Sequence, residues 1–508
     1  MVTGRQTYAE DGAERDRHPS DGARDRPSAI SAVLLVVVLL GVAVALRLPG
    51  FSDRVFNSDE AYLATQAQVL NHGGRLYVDT VDRKPPVVPY LYAAVFRITG
   101  SDDLAAVRVV ALLAQVATAL LLALEARRRF AWRHAALAAG VAYLLASSAL
   151  PPSDAQAANF ELFMLPLMTA AFVLAVRARP VGAGVSLAFA TLTKQTAALA
   201  LLPLAYLAWR ARRGRGLVLL GGAFLVPVAV AGVVFGPHDF VHWVFTSNGG
   251  YLDVSGAVGY AFSNGIARTG WFLFGTAAFV LLLPWAWGHR RDDVDLWLWL
   301  VSGILAVLVG FRFFPHYYLQ LVPPLVLLAI RAVSSLGEDR RRRVVPVLAV
   351  VALATTAWFV VPAFANGDNR DTKIALDVGQ YIRAHTSAHA RVLVWGQAPE
   401  VYWSSARLPA TRFATTGFVT GVSGGRPPSR VGSRYAVPGA TDLFYRDLRR
   451  TPPVLIADMS TADQRHAHFA PPSRFPRFEA FLRQGGWHRV ARVDGVTILR
   501  PSGSDSGP

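Results

Sequence analysis

Apolar runs of about twenty residues alternate with short arginine clusters along almost the whole chain, and few architectures tolerate that pattern. The runs fall at 28–46, 102–124, 131–150, 158–176, 180–194, 195–209, 217–236, 268–288, 294–312, 316–334 and 344–364. The hydrocarbon core of a bilayer, about 30 Å thick, is crossed by a helix of about 20 apolar residues. The pattern therefore predicts a polytopic α-helical membrane protein with about eleven spans. Only 17% of residues are charged, against about 25% in soluble domains.

The arginine clusters test the count. Arg127, Arg128, Arg129 and Arg133 share one loop, and Arg177 with Arg179, Arg210 with Arg212, Arg213 and Arg215, Arg290 with Arg291, and Arg340 to Arg343 occupy others. Short basic loops stay on the cytoplasmic side. With a cytoplasmic N-terminus and the stretch 180–209 split in two near Lys194, every cluster lands inside; read as one span, that stretch breaks the alternation for all later loops. The net charge of +17 is thus accounted for by topology signals and lipid head groups. It forms no basic stripe with interleaved aromatics, so nucleic acid is not an expected partner. The chain has no cysteine, which excludes disulfides and thiolate chemistry.

The remaining segments are polar. Residues 1–27 read as a disordered cytoplasmic tail, too long and with too poor a cleavage pattern for a signal peptide. Residues 28–365 form the membrane domain. Within it, 48–101 make a first external loop, with a helix over 59–71 capped by Ser58 or Asp59 and a second opened by Pro85-Pro86 and running to Thr99. Both are short and amphipathic, which suits helices lying along the membrane interface. Residues 366–500 have the composition of a small soluble α/β domain on the external face, with strands at 392–395 and 454–457, a helix over 477–485 and an Asp494-Gly495 turn between two closing strands. Residues 501–508 read as a disordered tail.

The external segments hold the residues with chemistry. Asp59 and Glu60 follow the first span. Acids at a helix N-terminus suit its dipole, but here they are accompanied by Tyr62, Asp82 and Lys84. Only three of the 51 basic residues are lysine, namely Lys84, Lys194 and Lys373, and the first two stand at external membrane boundaries. Lysine is a good point-charge ligand for phosphate, although a lysine at a helix end also snorkels. Arg312, His316, Tyr317 and Tyr318 sit between two late spans, and Asp154, Asn159 and Glu161 at the entry to another. Ionisable groups at membrane boundaries are costly and mark functional sites. Acids and bases converging on one face suit group transfer from a phosphate-linked lipid, with a carboxylate as general base and cations stabilising the departing phosphate.

At this point a resemblance enters. Asn57-Ser58-Asp59-Glu60-Ala61-Tyr62, Gly73-Gly74 and Asp82-Arg83-Lys84-Pro85-Pro86 resemble the first external loop of GT-C glycosyltransferases, nearest to bacterial members of glycosyltransferase family 39 of the protein O-mannosyltransferase-like and aminoarabinose-transferase-like types. The glycine-rich stretch from Gly182 to Thr193-Lys194, and Arg312-Phe313-Phe314-Pro315-His316-Tyr317-Tyr318 with Pro323-Pro324, are similar to later motifs of that family. The resemblance covers about 30–365. It implies a GT-C fold, a polyprenyl-phosphate monosaccharide donor, and a glycan, lipid or protein hydroxyl acceptor at the external face of the cytoplasmic membrane. It implies Asp59, with Glu60, as catalytic carboxylate, Lys84, Lys194, Arg312 and His316 toward the donor phosphate, and Tyr62, Asp82, Asp154, Asn159, Glu161 and Tyr317 toward substrate. Some relatives carry a glutamate where Arg83 stands. Family members differ in metal use, and a divalent cation on Asp59, Glu60, Asp154 and Glu161 stays open; no other cofactor is implied.

Two alternatives compete. A transporter or flippase of lipid-linked saccharide places its polar site near the midplane between inverted repeats, whereas here the charge gathers at one face and no repeat is evident. A scaffold presenting the external domain needs no acid–base constellation.

Overall fold

The computed structural model describes residues 29–248, 256–365, 369–463 and 467–502. The tail expected over 1–27 and residues 503–508 of the tail expected over 501–508 lie outside these residues, whereas Pro501, expected in that tail, closes the last strand.

Helix α1 (Ala29–Arg47) is followed by the first loop with α2 (Ser58–Asn71) and α3 (Val87–Thr99). Then come α4 (Leu104–Arg129), α5 (Ala135–Ser148), α6 (Phe160–Val176), α7 (Pro180–Thr193) and α8 (Leu201–Val234). The bundle ends with α9 (Val258–Gly275), α10 (Val294–Leu308), α11 (Val322–Ser334) and α12 (Glu338–Ala363). Among the described residues, five helical stretches are long and apolar enough to cross a membrane, and the bent pair Val258–Gly275 with Ala277–Trp287 makes a sixth.

The chain breaks at Lys194. Its backbone is extended (φ −150°, ψ 126°) and ends α7, and a tight 3-10 turn over Gln195–Ala200 starts the next segment. A second break falls inside α8, at Arg212 and Arg213 (φ −141° and 52°). Residues 180–234 therefore form three apolar segments. Helix α6 runs from Asn159 to Arg177 and α7 returns from Arg179 to Lys194. Asn159 and Lys194 thus share one end of the bundle, and the arginines share the other. At that other end Arg129 pairs with Asp295 at 2.6 Å and Asp293 at 3.5 Å, and Arg331 with Asp293 at 2.5 Å.

Three expectations are corrected. The expected span 268–288 starts earlier, at Val258, and bends by 76° near Thr276. The cap of α2 is Asn57, whose side chain accepts from the Asp59 amide at 2.8 Å. Helix α2 is not half exposed as an amphipathic helix would be. Its residues from Glu60 to Leu70, apart from Tyr62, are buried, between α3 and the C-terminal domain, where the Thr65 hydroxyl reaches the Pro399 carbonyl at 3.3 Å.

The C-terminal domain opens with α13 (Arg370–Ala384), packed with α14 (Glu400–Ser405) beside a five-stranded sheet. The strands are β1 (Arg391–Trp395), β2 (Leu408–Pro409), β3 (Leu455–Asp458), β4 (Trp487–Val493) and β5 (Val496–Pro501), in the order β2-β1-β3-β5-β4. β1 runs parallel to β2 and β3, with Val392 opposite Leu455 and Trp395 opposite Asp458. The apolar strands β1 and β3 are buried on both faces, as parallel strands are. β5 is antiparallel to β3 and to β4, and Asp494 and Gly495, both at positive φ, form the hairpin between β4 and β5.

Candidate active site at the junction of bundle and C-terminal domain

A cavity of about 600 Å³ opens where the bundle meets the C-terminal domain. Asp59, Tyr62, Asp82, Arg83, Lys84, Asp154, Phe160, Lys194, His316 and Tyr317 line it from the membrane side, and Gln397, Thr415, Phe418 and Ser423 to Pro428 from the other. Segments far apart in sequence meet here because helices end here. The starts of α2 and α6, the end of α7 and the 3-10 turn Pro315–Leu321 all converge.

Asp59 sits in the first turn of α2. Its Oδ2 accepts from Asn159 Nδ2 at 2.8 Å, while Asn159 Oδ1 caps α6 by accepting from the Phe160 amide at 2.8 Å. Asn57 spans the same gap, accepting from the Asp59 amide through Oδ1 and donating through Nδ2 to the Ser153 carbonyl at 2.8 Å. Two asparagine caps thus brace the helix that carries the carboxylate against the segment that enters α6.

Lys84 is held from behind. The Tyr77 hydroxyl donates to its carbonyl at 2.8 Å, and its Nζ lies 4.2 Å from the centroid of the Phe160 ring. Lys194 pairs with the buried Glu161 and lies 4.0 Å from the Tyr317 centroid. His316 Nδ1 is 2.8 Å from Asp154 Oδ1, the His316 amide donates to Asp154 Oδ2 at 3.1 Å, and Nε2 is 3.7 Å from Glu161 Oε1. Lys194, Glu161, His316 and Asp154 form one charge-compensated chain along the wall. Such pairing is how charges are retained in a poorly hydrated site. Tyr62 donates to the Val81 carbonyl at 2.6 Å. Burial pushes the Asp82 carboxyl above its ordinary range, with Lys84 and the Arg83 amide pulling it the other way.

Four of the expected site residues stand elsewhere. Glu60 is fully buried and grips Arg108 (Nη2 at 2.6 Å, Nε at 3.2 Å to each oxygen), while also accepting from the Ala158 amide at 2.8 Å and the Phe56 amide at 3.3 Å. Its carboxylate joins α2 to α4 and to the chain before α6, and is turned away from the cavity. Arg312 is also buried, and its Nη1 donates to the Gly424 carbonyl at 2.6 Å, so it holds the loop over the cavity. Asn159 and Glu161 lie behind the lining and position Asp59 and Lys194. Among the described residues no group of three or more metal-ligating side chains converges; Glu60, Asp154 and Glu161 are each engaged by a cationic side chain instead.

The roof is not among the residues that the sequence singled out. The loop Ser423-Gly424-Gly425-Arg426 packs on Phe314, and a side chain at Gly424 would meet that ring at 3.0 Å. Gly425 has φ +68°, a conformation natural only to glycine. Arg426 donates back to the Gly310 carbonyl at 3.0 Å and the Phe311 carbonyl at 3.3 Å. Arg312 and Arg426 therefore cross-tie the two walls. A paired-glycine stretch flanked by arginine was the one available hint.

Residues 83–239 match the family described as dolichyl-phosphate-mannose-protein mannosyltransferase. Among solved structures, the chain is similar to ArnT from Cupriavidus metallidurans bound to undecaprenyl phosphate, with 15% identity, a TM-score of 0.60, and 95% of this chain and 100% of that chain covered. The apo state of the same protein gives 15% identity and a TM-score of 0.57, with 94% and 99% covered. Archaeal oligosaccharyltransferase AglB from Archaeoglobus fulgidus, in complex with an inhibitory peptide and a dolichol-phosphate, gives 13% identity and a TM-score of 0.54, with 93% and 74% covered. No curated protein sequence matches. With five or six helical stretches among the described residues long and apolar enough to cross a membrane, and a small C-terminal sheet domain, the chain shares the fold of these ArnT and AglB structures.

Proposed function

We propose that the protein is a membrane glycosyltransferase that moves a sugar from a polyprenyl-phosphate donor to a hydroxyl acceptor at the external face of the cytoplasmic membrane. The observation that carries this reading is the cavity in which Asp59 shares a wall with Lys84, Lys194 and His316. The undecaprenyl phosphate in the ArnT structure and the dolichol-phosphate in the AglB structure support the donor class.

In this reading Asp59 takes the proton of the acceptor hydroxyl. The acceptor oxygen attacks the anomeric carbon, the bond from that carbon to the phosphate oxygen breaks, and the configuration inverts. Lys84, Lys194 and His316 receive the negative charge that builds on the departing phosphate. We assign Lys84 to the phosphate together with Lys194 and His316, with which it shares the wall. Glu60 has a structural part, Arg312 secures the roof, and Asn159 orients Asp59. The odd number of apolar runs in the sequence supports a C-terminal domain on the side opposite the N-terminus.

The test is Asp59→Asn in nanodiscs, with consumption of lipid-linked sugar as the readout. Loss of at least about 100-fold is expected for removal of a general base. Full activity in a normally folded variant would remove Asp59 from the mechanism.

A further inference from the structure

Asp82, Arg83 and Lys84 enter the cavity as one rigid strip. The Arg83 carbonyl accepts from Gln195 Nε2 at 3.0 Å, the Lys84 carbonyl accepts from Tyr77, and the Arg83 amide donates to Asp82 Oδ1 at 2.6 Å. Two successive cations are thus presented from fixed backbone, and they go to opposite walls. Lys84 lies against Phe160 at the start of α6. The Arg83 guanidinium carbon lies 4.6 Å from the centroid of Phe418, in the C-terminal domain. Phe418 is itself fixed, with Phe413 at 5.2 Å and Trp243 at 6.0 Å between ring centroids.

The transfer reaction requires one anion at the membrane-side wall, the departing phosphate, and Lys84, Lys194 and His316 attend it there. Arg83 is a further cation, and its guanidinium reaches across to the wall formed by the C-terminal domain. A guanidinium against an aromatic ring is weakly hydrated and keeps a planar fork of donors that matches carboxylate and phosphate oxygens.

We propose that Arg83 binds an anionic group, carboxylate or phosphate, on the acceptor, so that the enzyme selects acidic hydroxyl acceptors. This rests on the glycosyltransferase reading above.

The test uses the full chain in nanodiscs, polyprenyl phosphates carrying labelled mannose, arabinose or glucose, and a cell-envelope fraction as acceptor. Arg83→Gln is expected to raise the KM for acceptor by about tenfold or more, as loss of a charged hydrogen-bond partner does, with donor KM within about twofold. Arg83→Lys is expected to recover part of that loss, which separates charge recognition from misfolding. Carboxyl reduction of the acceptor fraction, or removal of its phosphates, identifies which anion is read; one of the two should abolish the difference between wild type and Arg83→Gln. Equal transfer to both treated fractions, or a KM change confined to the donor, overturns the assignment. A wild-type protein that consumes none of the three donors overturns the transferase reading instead, and this proposal with it.

Discussion

Replacing Glu60 by glutamine separates the two adjacent carboxylates at the start of α2. Glu60 is 0% exposed, and its two oxygens take three guanidinium contacts from Arg108 and two backbone N–H groups. Glutamine keeps one oxygen and turns an NH2 toward groups that are themselves donors. Arg108, only 6% exposed, is then left as a buried charge without its counter-ion. Breaking a buried pair in this way costs about 3–5 kcal/mol, a large share of the stability of most domains. Asp59→Asn is different in kind. Asp59 is partly exposed and has a single side-chain partner, Asn159, so its loss should cost under about 1.5 kcal/mol. Thermal unfolding followed by tryptophan fluorescence in nanodiscs, run beside donor consumption, measures both quantities. Glu60→Gln is expected to unfold at clearly lower temperature yet to turn over donor below that temperature. Arg108→Met is expected to cost a similar amount, and the double variant about 1–3 kcal/mol less than the sum. If Glu60→Gln unfolds like wild type and is as inactive as Asp59→Asn, the structural assignment of Glu60 is wrong and Glu60 belongs to the chemistry.

Two further outcomes are expected. Lys194→Met leaves Glu161 buried without its ammonium partner and should cost about 3–5 kcal/mol, whereas Lys194→Met with Glu161→Gln should regain most of that stability and little of the activity, read by the same unfolding and turnover assays. Burial raises the Glu400 carboxyl, against the pull of its hydrogen bond from Ser58. A raised acid favours the folded state below its unfolded value of about 4.3, and this contribution is lost as pH climbs through the higher folded value. Unfolding temperature measured from pH 4 to pH 8 should therefore fall less steeply for Glu400→Gln than for wild type, and a steeper fall would show that the Glu400 environment favours its charge.

The bundle was largely legible because hydrophobic length and arginine placement are local properties. Splitting 180–209 at Lys194 followed from loop charge alone, and the extended backbone at that residue is where the helix stops. The strands at 391–395 and 455–458 read clearly because parallel strands buried on both faces are continuous apolar runs. What composition could not reveal is the direction in which a side chain is used. Asp59 and Glu60 are neighbours with the same chemistry, yet one turn of helix geometry sends the first to the cavity and the second to Arg108. Arg312 and His316 lie in one motif, but only the histidine faces the cavity, because the guanidinium is taken by a carbonyl 112 residues away. The burial of α2 was hidden for the same reason: a short polar helix looks amphipathic alone, and is covered by a domain that begins some 300 positions later. The 76° bend near Thr276 has neither proline nor charge at its corner to announce it.

The roof loop has a consequence for the timing of synthesis. Asp59 and Lys84 are made early, but Phe418 and the Ser423–Arg426 loop are added more than 300 residues afterwards. A nascent chain that ends before that loop leaves Asp59 and Lys84 without the residues that line the far wall of the cavity. Only when the late segment docks, through Arg312 on Gly424 and Arg426 on Gly310, does the surface become an enclosed chamber. The order in which the polypeptide is written thus defers completion of the cavity until that loop is in place, which, on the proposed function, would keep a lipid-linked sugar from transfer to water by a partly made chain.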